Sequence, residues 1–217
     1  MKGLLIKDFI NLKKNFRIFG VLSLFYIFLA FTMKDADFFS SVFTMLFAIL
    51  TLSLFSYDDM AKWDIYALTM PVSRESMVQN KYFMMLFLTL IGTVFSSLVS
   101  VALNIALKAD SILVSVQNSL IGALIVILLY SIILPFIIKM GVEKARFIFF
   151  IIIFVPFAII SFVNTYMKNI DMDKLEKFSE IIRNLMKYSY IVLPLVGVFV
   201  LGISYRISVG IYRKKEF

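Results

Sequence analysis

Residues 111–138 read "SILVSVQNSLIGALIVILLYSIILPFII", an uncharged run dominated by leucine, isoleucine and valine. At about 1.5 Å rise per residue such a run, coiled as a helix, spans more than the roughly 30 Å hydrocarbon core of a bilayer. A stretch this apolar and this long reads as a membrane span, tilted or projecting past the boundary. Five further stretches repeat the pattern, at residues 16–33, 38–56, 83–107, 147–166 and 188–205. Within the six, the only Asp, Glu, Lys or Arg is Arg17, close enough to an end to reach the interface.

Composition agrees. The 217 residues are 61% hydrophobic and 17% charged, with 24 phenylalanines and a mean hydropathy of +0.95, where a soluble domain carries about a quarter charged residues. The chain holds no cysteine and no histidine, which removes disulfides, thiolate nucleophiles, imidazole bases and the common zinc motifs. No catalytic, cofactor-binding or metal-binding set emerges, so the chain reads as a non-enzyme. The net charge of +8 comes without a basic run set in a soluble fold, which argues for charges arranged around a membrane rather than nucleic-acid binding.

Lysine and arginine in the connections set the orientation. With the N-terminus inside, the inner segments hold fifteen of the 22 basic residues and the outer ones seven, while the acidic residues divide evenly. Both termini are therefore expected in the cytoplasm. The basic opening followed by an apolar run resembles a leader, but "FLAFTMKDAD" offers no good small-residue cleavage site, so residues 16–33 are expected to stay as a span.

Two amphipathic segments flank the spans. In residues 2–15 the spacing of Leu5, Phe9 and Leu12, continued by Phe16, predicts an interfacial helix along the inner leaflet, with Lys7, Asp8, Asn11, Lys14 and Asn15 on a polar face suited to anionic lipid. Outside, residues 171–187 place Leu175, Phe178, Ile182 and Leu185 on one stripe, acids first and bases last, as a helix macrodipole favours. This second helix is expected over the outer mouth of the bundle, as an outer gate or a plain cover.

The spans lack the buried ionisable groups that secondary transporters use, and no P-loop occurs to bind a nucleotide. If transport is active, its energy enters from a soluble partner; a passive channel or a membrane-embedded accessory protein without an ATPase is the alternative. The polar island "YDDMAKWDIYALTMPVSRESMVQNKY", residues 57–82, lies between spans two and three on the inner side. Pro71 breaks the pattern and Ser73 is placed to cap a short helix over residues 74–80. Arg74 and Glu75 offer charges there, and Met77 and Val78 offer apolar contact. The inner loop 139–146, with Lys139, Glu143, Lys144 and Arg146, is a second candidate contact.

In span three Thr89, Thr93, Ser96, Ser97, Ser100 and Asn104 gather towards one face, and Gly92, Ser96 and Ser100 form a small-x-x-x-small series; packing is the favoured reading over a polar pathway. Phe43, Phe47, Thr51 and Phe55 in span two, with Phe150, Phe154 and Phe157 in span five, are candidates for an apolar substrate route.

An acidic pair after span two, an aromatic beside Asp, a Pro-Val-Ser-Arg turn and a V-x-x-K-Y lead into span three together resemble the ABC-2-type permease family. The matching positions are Asp58, Asp59, Trp63, Asp64, Pro71, Val72, Ser73, Arg74, Val78, Lys81 and Tyr82; Met70 stands where leucine is usual. The opening "MKGLLIKDF" and closing "GIYRKKEF" are also similar to that family. The resemblance implies a bacterial cell-membrane exporter subunit, pairing with an identical or different permease. It further implies two separate ATPase subunits, on which ATP and magnesium are expected, and a coupling helix around residues 73–80 that docks on them. Some similar permeases serve export of amphipathic peptides, including phenol-soluble modulins and antimicrobial peptides. The expected fold is thus a single all-α transmembrane domain over residues 1–217, with six spans, an N-terminal interfacial helix, a short cytoplasmic coupling helix and an extracellular amphipathic helix.

Overall fold

The computed structural model describes residues 2–33, 36–107, 112–167 and 189–215. Among them the chain is helical throughout apart from short turns, as expected of a backbone that must satisfy its own hydrogen bonds in lipid. The helices are α1 (Lys2–Met33), α2 (Ala36–Met60), α3 (Trp63–Ala67), α4 (Arg74–Leu107), α5 (Ile112–Met140), α6 (Val142–Met167) and α7 (Ser189–Lys214). Phe43–Met60, Arg74–Ala106, Leu113–Met140 and Pro194–Lys214 are each long and apolar enough to cross a membrane. The arms Gly3–Asn15 and Arg17–Met33 of α1 meet at 55° and count as a fifth when taken as one span. The predicted stretch 147–166 falls within α6. The outer amphipathic segment, with Leu175, Phe178, Ile182 and Leu185, lies outside the described residues.

Two expectations change. Residues 74–80 are not a separate helix: they are the first two turns of the 34-residue α4, and the short helix between α2 and α4 is α3, at Trp63–Ala67. An apolar run ends where polar residues begin, but the hydrogen-bonded coil continues through Arg74–Asn80 because Ser73 caps it, its Oγ accepting from the Ser76 amide at 3.1 Å. In α1 the buried face runs through Leu4, Asp8 and Leu12, while Phe9 is exposed. The polar pair Lys7 and Asp8, predicted to face away, turns into the bundle because charged partners wait there.

The helices α2, α4 and α5 pack on one another, α1 lies against α2 and α4, α7 against α5 and α4, and α6 against α5 and α2. Small polar residues let the helices approach and bond across the gap, as the packing reading of span three expects. Ser96 meets Ser119 at 3.4 Å, and the Asn104 amide donates to Ser115, all four buried. Pro135, inside α5, has no N–H for the Ser131 carbonyl one turn back; the Ser204 hydroxyl of α7 donates to that carbonyl instead. With the Ser204 proton so used, Tyr82 donates to Ser204 (2.6 Å) and accepts from Ser208 (2.8 Å), tying α4, α5 and α7 together.

Gly92 marks the closest approach of α4 to α2. A Cβ built there falls 2.6 Å from the Phe47 Cβ, a distance no side-chain rotation relieves. Gly92→Val should therefore force α2 and α4 apart and cost about 1–3 kcal/mol, read as a lowered Tm of the purified protein. An unchanged Tm would show that the two helices separate freely at this level.

Candidate functional site

The end of the bundle that carries the start of α1, the α2–α4 connection, the α5–α6 turn and the end of α7 concentrates the polar side chains. The connection begins with a reversal. Lys62 takes the left-handed conformation (φ 48°, ψ 39°), unfavourable for a residue with a Cβ, and its N–H bonds the Asp59 carbonyl at 3.1 Å. This turns the chain from α2 into α3. Asp59 Oδ2 in turn accepts from the Val142 N–H at 2.6 Å, capping α6. Gly141 beside it has φ 81°, and a Cβ there would sit 3.1 Å from Asp59 Oδ2, so both backbone and space require glycine. The end of α2 is thus pinned to the α5–α6 turn.

Beneath α3 lies a partly buried network of charges. Lys7 Nζ stands 2.5 Å from Asp58 and 3.0 Å from Asp8, and 4.6 Å from the centre of the Trp63 ring. The Asn80 amide donates to Asp8 at 2.6 Å. Asp64 meets Lys81 at 3.5 Å and Lys215 at 3.8 Å, while Lys215 also donates to the Ile138 carbonyl at the end of α5 (3.1 Å). Arg74 Nη1 donates to the carbonyls of Tyr212 (3.3 Å), Arg213 (2.8 Å) and Lys215 (2.9 Å), a cation on the negative end of the α7 dipole. Five chain segments are joined by these bonds into a platform that carries α3.

The predicted coupling residues divide accordingly. Trp63, Asp64 and Arg74 hold the platform together; Ser73 caps α4; Glu75 pairs with Arg213 at 2.9 Å on the surface. Met77 and Val78 are buried in the main core, where Met77 Sδ accepts from the Tyr212 hydroxyl, and offer no surface to a soluble partner. Pro71 is exposed. What projects from the platform is apolar: Met60 (82% exposed), Ile65 (50%), Tyr66 (56%) and Met70 (36%) form a step. Ile65, Tyr66 and Met60 are not among the sequence-predicted contacts, although apolar residues in a polar connection are the signal that marks them. Beside the step opens a cleft of about 450 Å3 lined by Ser56, Asp59, Met140, Glu143, Lys144 and Arg146. Lys139, Glu143 and Lys144 are exposed around it and Arg146 donates to Ser56 at 3.2 Å, so the second predicted loop shares this end of the molecule.

The candidate substrate-route residues are not brought to one surface. Phe43 and Phe47 pack tilted against the Phe95 ring of α4 at 5.3 and 5.9 Å, Thr51 is buried, and Phe55 lies in the main core. Phe154 is exposed on α6, and the Phe157 side chain lies outside the described residues. A crevice of about 720 Å3 occurs instead between α4, α5 and α7, lined by Thr89, Thr93, Gln117, Leu120, Leu124 and Pro194 among others. Among the described residues no group of three or more carboxylate side chains is placed to hold a metal ion.

A family model described as "ABC-2 family transporter protein" matches residues 3–213. The chain belongs to the ABC-2 transporter family. No curated protein and no solved structure gives a significant match. As an ABC-2 transporter protein it is a membrane permease, and the match takes in the platform from Lys7 to Arg213, stopping two residues short of Lys215. Residues 57–82, which carry the resemblance in sequence, are the ones that build α3 and the head of α4.

Proposed function

We propose that the chain is the permease subunit of an ABC exporter, and that separate ATPase subunits dock on the platform around α3. The family match over residues 3–213 carries the reading. The exposed apolar step of Met60, Ile65, Tyr66 and Met70, set on bonded helix ends, supplies a docking face with the chemistry of a protein–protein contact. Because the step is joined through Lys7, Asp58 and Asp64 to α1, α2, α4 and α7, a push on α3 is delivered to four helices together. The α5–α6 turn, with Lys139, Glu143, Lys144 and Arg146, is the second contact. ATP and magnesium act on the partner subunits; this chain contributes no catalytic group.

In this reading six spans cross the bacterial cell membrane, with both termini and the platform in the cytoplasm, and the permease works as a homodimer or heterodimer. The cargo is an amphipathic molecule such as a peptide. The crevice between α4, α5 and α7, apolar but carrying Thr89, Thr93 and Gln117, suits such a cargo better than the phenylalanines of α2, which are committed to packing. The segment 171–187 acts at the opposite mouth.

The topology is tested by single cysteines, for which the cysteine-free chain is a clean background. A cysteine at Ser73 or Lys214 should resist a membrane-impermeant thiol reagent in intact cells, while one at Ser179 should react. Reaction at Ser73 from outside would overturn the orientation. Reconstitution with the ATPase then tests the activity: ATP-driven export is expected, and passive flux of the same intensity without the ATPase would instead identify a channel.

A further inference from the structure

On α7 the apolar run ends at Tyr205 and Arg206 follows as its first charge. Arg206 lies on the outer face of the bundle, in line with exposed Leu195, Phe199 and Ile203 one to three turns earlier and with Arg213 two turns later. Among the described residues no carboxylate lies within ion-pairing distance of it, whereas Arg213 is held by Glu75 at 2.9 Å. Helical side chains lean towards the N-terminus, so Arg213 reaches back in the direction of Arg206. Arg206, Arg213, Tyr205, Val209, Gly210 and Glu75 line one groove of about 370 Å3. Gly210 lies between the arginines, and a Cβ there would meet nothing within 4 Å; the floor is bare backbone facing open space.

An unpaired guanidinium at the edge of the hydrocarbon layer needs an anion. Arg206 and Arg213 against Glu75 leave the groove with one net positive charge, the complement of a single phosphodiester. The apolar face that runs from Ile203 through Phe199 to Leu195 lies directly on the hydrocarbon side, where an acyl chain attached to that phosphodiester would be. We infer that this groove binds the headgroup of a monoanionic phospholipid, with the phosphate between Arg206 and Arg213 and a chain along Ile203 and Phe199. The leaflet is the cytoplasmic one under the topology proposed above, but lipid retention itself does not depend on which side the groove faces. Arg206 supplies a planar fork that matches phosphate, and Gly210 supplies the room.

The test is native mass spectrometry of the protein drawn from vesicles of phosphatidylcholine containing a minor fraction of phosphatidylglycerol. The wild type should retain phosphatidylglycerol in preference to phosphatidylcholine. Arg206→Gln should reduce that preference about fivefold, the size expected of one arginine at an anionic surface, and Arg206→Lys should keep part of it. Gly210→Leu should reduce it as well, because it fills the groove without removing a charge. Lys62→Gln, at an exposed basic position outside the N-terminal helix, should leave it unchanged. Inorganic phosphate should not displace the lipid, since it lacks the chain. Unaltered preference in Arg206→Gln, equal loss in Lys62→Gln, or full displacement by inorganic phosphate would each overturn the assignment. Loss of a second permease copy or of the ATPase from Arg206→Gln with lipid retention intact would overturn it too, and would give the groove to a protein. Arg206 is exposed and unpaired, so these variants should fold with the wild-type Tm.

Discussion

Lys7→Met should destabilise the folded protein by about 3–5 kcal/mol, the cost of leaving buried charge without its partner. The side chains of Asp8 and Asp58 are only 6% and 8% exposed, and Lys7 is the ammonium in direct contact with both, while Lys81 acts on Asp58 from farther off. Methionine keeps most of the volume and the apolar stem, so the loss isolates the charge. Two carboxylates would then face each other in a site that water reaches poorly, with Asn80 able to satisfy only Asp8. The measurement is thermal unfolding of the purified permease beside the wild type. Adding Asp58→Asn to Lys7→Met should recover part of the loss, because the second change removes the charge that the first one stranded. A wild-type Tm for Lys7→Met would mean that Asp8 and Asp58 reach solvent or protons easily, and the platform would lose its structural role. Recovery of stability without recovery of ATPase-driven transport would separate holding α3 in place from transmitting force through it.

Tyr66→Ala combined with Ile65→Asp should weaken binding of the ATPase by about thirtyfold or more while leaving the Tm unchanged. Both side chains are at least half exposed and lie outside the hydrophobic core, Tyr66 touching the Trp63 ring, so the bundle does not depend on them. At a docking face an aromatic anchor is the residue type whose loss costs most, about 2 kcal/mol or more, and an aspartate put at the centre of the contact must be desolvated. Titrating the ATPase onto the reconstituted permease, with a parallel measurement of ATP-driven transport, reads the effect. Intact affinity would move the docking face to the cleft at Glu143, Lys144 and Arg146. Met77 and Val78 would not serve as substitutes in either outcome, because they lie in the core.

The uncharged runs determine that the chain is a helical membrane protein. A stretch such as residues 111–138 has no soluble alternative, and a backbone in lipid has no partner for its N–H and C=O groups but itself. Ser73 as a cap and the small residues of α4 as packing positions were equally legible, because a cap is satisfied within three residues and a small-x-x-x-small series lies along one helix face. The family was legible in residues 57–82 for a similar reason: those positions stand together along the chain. The use of each polar side chain was not. Lys7 reads as the polar face of an interfacial helix until Asp58, 51 residues away, is brought beside it; Asp8 reads the same way until it meets Asn80, 72 residues on. Arg74 reads as a charge for a soluble partner until the end of α7, 139 residues later, presents its carbonyls. Met77 and Val78 read as a surface because their neighbours are polar, yet α4 turns that face inward, and Ile65 and Tyr66 are left outside instead. Burial and pairing belong to contacts between distant segments, and only the packing of α1, α4 and α7 around α3 decides which charges are spent inside the protein and which side chains remain for a partner.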